Sequence, residues 1–209
     1  MRRVRRPRSL AELGLAEPDI NGRVAKPRRI CEIPVARAMV LPPRARILGL
    51  DPGSLRTGYA IIETLTGRVG YVVSGTVRTE GSTLAERLQE IFLAVEQLTR
   101  EFQPDEVAIE GVFMHRNADS ALKLGQARGA ALSATFAARP RVFEYAPRAV
   151  KLAVVGTGSA QKEQVQLMVR RLLNISGPLG ADAADALAIA LCHAHSRKVH
   201  SLIAAGLAR

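Results

Sequence analysis

From residue 46 onward the chain falls into short apolar runs separated by turn residues. Residues 46–51, 58–64 and 69–78 are rich in Val, Ile and Leu and are bounded by Gly and by Asp51-Pro52-Gly53, with Thr66-Gly67 between the second and third runs. Runs of that length between such breakers predict strands, and three in quick succession predict an antiparallel meander. The period then changes. Leu84, Leu88, Ile91, Val95 and Leu98 recur at helical spacing, with Ser82 or Thr83 placed to cap the N-terminus and Pro104 to end the helix. Residues 105–110 form a short apolar strand through Val107-Ala108-Ile109 that ends in an acid. Residues 118–138, rich in alanine, predict a helix despite Gly125 and Gly129. A helical glycine costs about 1 kcal/mol against alanine, so close packing on another helix or on a partner subunit is the motive expected for them. Residues 141–145 make a fifth strand. Ser159 starts a helix to about residue 173, and after Gly177-Pro178 a last helix spans 181 to about 196. A meander joined to helix-separated strands predicts an α/β fold: a mixed five-stranded sheet with α-helices on its faces.

Residues 1–44 carry no such period. They hold 11 Lys+Arg against 4 Asp+Glu, and Arg2, Arg3, Arg5, Arg6 and Arg8 cluster at the start. This segment reads as a basic, disordered N-terminal extension, followed by a folded domain over 45–198 and a tail over 199–209. Three accounts of the extension compete: an arm attracted to phosphates, an upstream start ahead of Met39, and a targeting peptide. The third fits worst, because the segment has one serine, Ser9, and four acids. The whole chain carries a formal charge of +11, of which +7 lies in the extension, so the folded part gives a polyanionic partner only modest support. Cys31 and Cys192 have no metal-ligand spacing, and no apolar run approaches the roughly 18 residues of a membrane span. A reduced, cytoplasmic compartment and no membrane partner are expected.

Acids recur where strands end, at Asp51 and Glu110, and as an i, i+3 pair, Asp182 and Asp185, in the otherwise apolar helix Ala-Asp-Ala-Ala-Asp-Ala-Leu-Ala-Ile-Ala. Alone, Asp51 is an ordinary turn residue and the helix pair an ordinary solvated face. Together they suit a metal site, since acids on the apolar side of a packed helix are costly without a cation. Hard oxygen ligands with open positions fit two Mg²⁺ ions, with Mn²⁺ able to substitute, and the chemistry such a pair serves is phosphodiester hydrolysis. His193 and His195 stand at i, i+2 and are expected at the surface rather than on zinc. Gly156-Thr157-Gly158-Ser159 matches neither a dinucleotide fingerprint nor a Walker A loop.

Several stretches, in order, resemble the RuvC family of Holliday junction resolvases, part of the ribonuclease H-like superfamily. They are Leu48-Gly49-Leu50-Asp51-Pro52-Gly53-Ser54 with Thr57-Gly58-Tyr59, and Ala108-Ile109-Glu110-Gly111-Val112-Phe113-Met114 with 117–129. Phe143-Glu144-Tyr145-Ala146, Val150-Lys151, Val154-Val155-Gly156 and 181–190 follow. The resemblance implies a ribonuclease H-like sheet and a structure-specific endonuclease that resolves Holliday junctions by symmetric paired nicks. It implies a homodimer, with the family's branch-migration proteins RuvA and RuvB as partners. On it, Asp51, Glu110, Asp182 and Asp185 become the catalytic metal ligands, with Asp51 between the ions. Phe113 becomes the aromatic that stacks on a base at the opened junction, and Lys151, Lys162, Arg148 and Arg116 become DNA contacts. Read alone, Phe113 would be a packing residue and the lysines solvated surface. Gly111 departs from the larger polar residue that the family commonly carries there, which puts contacts near the junction centre in doubt. A YqgF-like nuclease of the same superfamily and a non-catalytic junction-binding scaffold are the rival readings. An actin-like ATPase would need a much longer chain.

Overall fold

The computed structural model describes residues 41–65, 67–111 and 118–204. Its elements are β1 (Arg44–Asp51), β2 (Arg56–Leu65), β3 (Arg68–Arg78), α1 (Leu84–Phe102), β4 (Glu106–Glu110), α2 (Ala118–Ser133), β5 (Arg141–Tyr145), α3 (Pro147–Val155), α4 (Lys162–Leu172) and α5 (Ala181–Ala204). The five strands form one sheet in the order β3-β2-β1-β4-β5. β1 runs antiparallel to β2 and β2 to β3, whereas β4 lies parallel to both β1 and β5. This is the mixed five-stranded sheet that the periodicity predicts.

Alternation along the strands assigns residues to the two faces. Leu48 and Leu50 of β1, Ile61 of β2, and Val107 and Ile109 of β4 pack with Ile91 and Val95 of α1 and with Ala127 and Ala131 of α2. Ile47, Ala60, Ile62 and Ala108 point the other way and pack with α3, α4 and α5. Asp51 on β1 and both Glu106 and Glu110 on β4 share the period of this second face, so strand geometry aims all three at α5.

Two glycines set how closely α5 lies on the sheet. A β-carbon at Gly49 would overlap the Ala186 carbonyl oxygen and crowd the Ala190 β-carbon, and one at Gly58 would overlap the Asp182 carbonyl oxygen. The small side chains of Ala186 and Ala190 complete that close approach. α5 is therefore seated at its N-terminal turn and again one to two turns later.

Further along α5 a buried polar cluster fixes its other half. Tyr145 Oη and His193 Nδ1 are hydrogen-bonded at 2.6 Å, and His193 Nε2 lies 2.8 Å from Glu106 Oε2. Arg197 donates from Nε to Glu106 Oε2 at 2.7 Å, and from Nη2 both to Glu106 Oε1 at 3.1 Å and to the Pro42 carbonyl at 2.8 Å. The Phe143 ring packs on His193 with centroids 4.2 Å apart. His193 is wholly buried, which corrects its expected place at the surface; His195, two residues on, is exposed as expected. Counting i, i+2 missed that His193 and Arg197, at i, i+4, share the face that meets β4.

Other boundaries shift for local reasons. Residues 147–155 form α3, which periodicity did not predict; Pro147 sits in its first turn, where a missing N–H costs nothing, and Gly156 closes it with φ 87°. α4 starts after Gln161, which exchanges capping hydrogen bonds with Gln164, so the cap is not Ser159. α2 stops at Ser133, and only a short 3₁₀ turn, Phe136–Ala138, continues toward residue 138. α5 runs on to Ala204, past 196 and past the end of the predicted domain at 198. A β-carbon at Gly125 or Gly129 would meet nothing among the described residues, so close packing on another described helix is not their motive.

Candidate active site

The acids come together because three elements end or begin at one place. The parallel register of β1 and β4 sets Leu50 opposite Ile109, so the next residues, Asp51 and Glu110, close adjacent strands on the α5 face. The first turns of α5 supply Asp182 and Asp185 above them, with Gly58 beneath Asp182. Carboxylates at the N-terminal end of a helix are favoured by its dipole. Asp51, Glu110 and Asp185 line a cleft of about 240 Å³, together with Lys151 and Pro147 of α3 and Lys162 of α4. All four acids are partly buried.

The electrostatics of this cluster are strained. Burial, then the charges of Asp185 and Glu110, push the Asp51 carboxyl up to about 7; Lys162 opposes them and Asp182 adds to them. Glu110 is raised by burial and by Asp185, against the opposing Lys151 and Lys162. Lys162 Nζ donates to Asp185 Oδ2 at 2.6 Å, and this contact with the field of Asp51 and Asp182 raises the lysine. Thr76 of β3 donates to Asp182 Oδ2 at 3.4 Å. Arg128 of α2 reaches the Glu110 carbonyl oxygen from Nε at 3.4 Å and the Glu144 carboxylate from Nη2 at 2.6 Å, tying α2 to the ends of β4 and β5.

Among the described residues, no group of three or more His, Cys, Asp or Glu side chains is drawn together tightly enough to hold a metal ion as the side chains stand. The donor set nevertheless fits a hard divalent cation. Its ligand atoms are carboxylate oxygens, and their mutual repulsion, visible in Asp51, is the field that such a cation relieves. Among the described residues, no soft or imidazole donor lines the cleft.

Of the basic residues singled out from the sequence, Lys151 and Lys162 face the cleft. Arg148, on α3, is exposed and lies against Gly158 instead of lining the cleft. Phe113 and Arg116 lie outside the described residues. Gly111 donates its N–H to the Tyr145 carbonyl at 2.8 Å, and among the described residues a β-carbon there would make only ordinary contact, so their packing does not require glycine at this position. Sequence reasoning missed Thr76, Gly58 and Arg128. The glycine's signal was available, because period two puts Gly58 on the Asp51 face.

Comparison with known proteins gives a consistent result. The family profile described as "Crossover junction endodeoxyribonuclease RuvC" matches residues 47–193. A crossover junction endodeoxyribonuclease RuvC from Methylococcus capsulatus is 55% identical over 156 residues, covering 75% of this chain and 94% of that protein. One from Aeromonas hydrophila is 54% identical over 153 residues, covering 73% and 88%. Among solved structures, Thermus thermophilus RuvC in complex with a Holliday junction substrate superposes with a TM-score of 0.70 at 35% identity, covering 75% of this chain and 97% of that one. The yeast mitochondrial resolvase Ydc2 shares the fold, with a TM-score of 0.58 at 12% identity, over 81% of this chain and 89% of that one.

Proposed function

The chain belongs to the RuvC family of crossover junction endodeoxyribonucleases, and from that premise we propose that Asp51, Glu110, Asp182 and Asp185 are the residues with which it cuts Holliday junctions, in a Mg²⁺-dependent reaction. The observation that carries this reading is the convergence of Asp51, Glu110 and Asp185, from two adjacent strand ends and one helix, on a cleft flanked by lysines, with Asp182 one helical turn before Asp185 and close enough for its charge to reach Asp51. Two divalent ions, when bound there, supply activation of the attacking water and stabilisation of the leaving oxygen. Asp51 is reached by the charges of all three other acids, which supports it as the central ligand that would hold the ions. That Lys151 and Lys162 line the same cleft supports a role for both in meeting the phosphate's non-bridging charge, with Lys162 giving up its contact with Asp185 to do so. Water adds to phosphorus, the 3′-oxygen leaves, and the nicked strand keeps a ligatable 5′-phosphate. Phe113 is assigned to the opened junction by family position alone, and Arg116 and Arg148 to DNA contacts.

A four-way junction has two-fold symmetry, so paired nicks call for a C₂ dimer with one active site on each of two opposed strands. The outward face of α2, with Leu122 exposed and Gly125 and Gly129 touching nothing in the described chain, supports that helix as the dimer contact. A Gly129→Leu variant is expected to sediment as a monomer and to lose paired nicking. An unchanged dimer mass would place the interface elsewhere. Family membership supports RuvA and RuvB as the branch-migration partners, and supports a cytoplasmic site of action. Among the described residues, no helix is long and apolar enough to cross a membrane.

Nicking of a synthetic four-way junction, mapped at nucleotide resolution, tests the function. Symmetric nicks with Mg²⁺, none on a linear duplex of the same sequence, and retained binding but no cutting after chelation are expected. Binding without cutting under every divalent ion would favour the scaffold reading instead.

A further inference from the structure

The same end of the sheet carries a charged feature that the cleft does not include. β2 begins at Arg56 and β3 ends at Arg78, and the two are direct cross-strand partners. Like charges placed opposite one another destabilise a ladder. Both side chains are exposed, and among the described residues neither is in an ion pair with a carboxylate. Among the described residues, no ion pair offsets their repulsion.

Their direction follows from the strand period. The pair two residues inward is Gly58 opposite Thr76. Gly58 faces the Asp182 carbonyl, and Thr76 donates to the Asp182 carboxylate. Arg56 and Arg78 therefore project from the same face, about 7 Å further along the strands. α5 begins at Ala181 and leaves them uncovered. Lys151 and Lys162 reach the acids from α3 and α4, which follow the far edge strand β5, whereas the arginines stand on the β2–β3 side. The acid cluster is flanked by cations on both sides.

Resting on the nuclease reading above, we infer that Arg56 and Arg78 form a cradle for a backbone phosphate of the DNA strand, next along from the phosphate at the acids and on the side away from Lys151 and Lys162. Two guanidinium groups offer forked donors that match phosphate oxygens, and a phosphate between them turns their mutual repulsion into attraction. The contact is to backbone and not to base, so it positions the strand across the cleft without reading sequence.

The test uses the full chain with Arg56→Gln, Arg78→Gln and the double variant, binding a synthetic junction under chelation across a range of salt. The double variant is expected to bind on the order of tenfold more weakly at moderate salt, with the log–log salt slope smaller by about one. Loss of the like-charge pair is expected to leave the melting temperature of the free protein equal or higher. Arg→Lys at both positions should restore most of the slope. Unchanged affinity and slope, in a protein whose parent cuts the junction, overturn the cradle and leave the nuclease reading standing. A parent that does not cut overturns the nuclease reading itself. Weaker binding with an unchanged slope and a lower melting temperature marks the pair as structural and also overturns the cradle.

Discussion

Asp51→Asn is expected to abolish junction nicking while leaving junction binding intact, and at the same time to make the metal-free protein harder to melt. The first effect follows from its place at the end of β1, facing Glu110, Asp182 and Asp185. A central metal ligand supports several kcal/mol of transition-state charge stabilisation, which is roughly 10²–10⁴ in rate. The second follows from the carboxyl being held at about 7 against a usual value of 3.8. A raised acid opposes folding wherever the unfolded chain has already released its proton. The penalty is absent below the unfolded value, grows as pH rises between the two, and is complete above about 7. Melting under chelation should show the Asn variant gaining most above that value and almost nothing near pH 4. A variant that still nicks at the parental rate would remove Asp51 from the site. An equal gain at both pH values would remove the electrostatic account of its cost.

The second large effect is expected at Glu106→Ala. Glu106 is 1% exposed and receives hydrogen bonds from His193 and Arg197. Removing one partner of a buried charge pair leaves the other uncompensated and costs about 3–5 kcal/mol. For a chain of this size that is a fall in melting temperature of about 10 °C. Burial alone would raise the Glu106 carboxyl, but the His193 and Arg197 hydrogen bonds and charges overcome it and hold the group at about 2. A depressed acid contributes its stability in full above the unfolded value of 4.5 and loses it as pH falls toward 2. The parent should therefore soften over that window, and a Glu106→Gln variant, already without the charge, should soften less. Urea titrations at neutral and acid pH measure both. A Glu106→Ala protein as stable as the parent would show that α5 is held by its apolar stripe alone. Activity should fall as well, because Glu106 lies on the same strand and face as Glu110, and its partners lie on the helix that carries Asp182 and Asp185.

The parts of the fold that periodicity could reach were those with one clean period. β1 to β3 alternate, α1 repeats its apolar residues at helical spacing, and the three strands and the helix stand close to their predicted spans. α3 was hidden because residues 147–155 are short and follow directly on a strand, with a proline whose value as a first-turn residue shows only once the strand's end is known. The four acids were visible as types and spacings, but their meeting depends on the parallel register of β1 and β4, which no local pattern encodes. Glu106 was invisible for a different reason. An acid within a short apolar strand reads as its boundary, and only the packing of α5 shows that it faces His193 and Arg197. Arg56 and Arg78 are likewise ordinary strand-end residues until the β2–β3 register sets them opposite one another.

The seating of α5 on Gly49 and Gly58 also bears on how this nuclease is born. Translation delivers Asp51 and Glu110 first, at about 5–20 residues per second, and Asp182 and Asp185 only when nearly all of the sheet has left the ribosome. Until the last helix drops into the groove those two glycines leave, half of the acids are missing, and the strands that carry the rest have their α5 face open to solvent. On the proposed assignment of the four acids, a nascent or prematurely terminated chain lacks a complete site, and the last helix is the keystone that completes it.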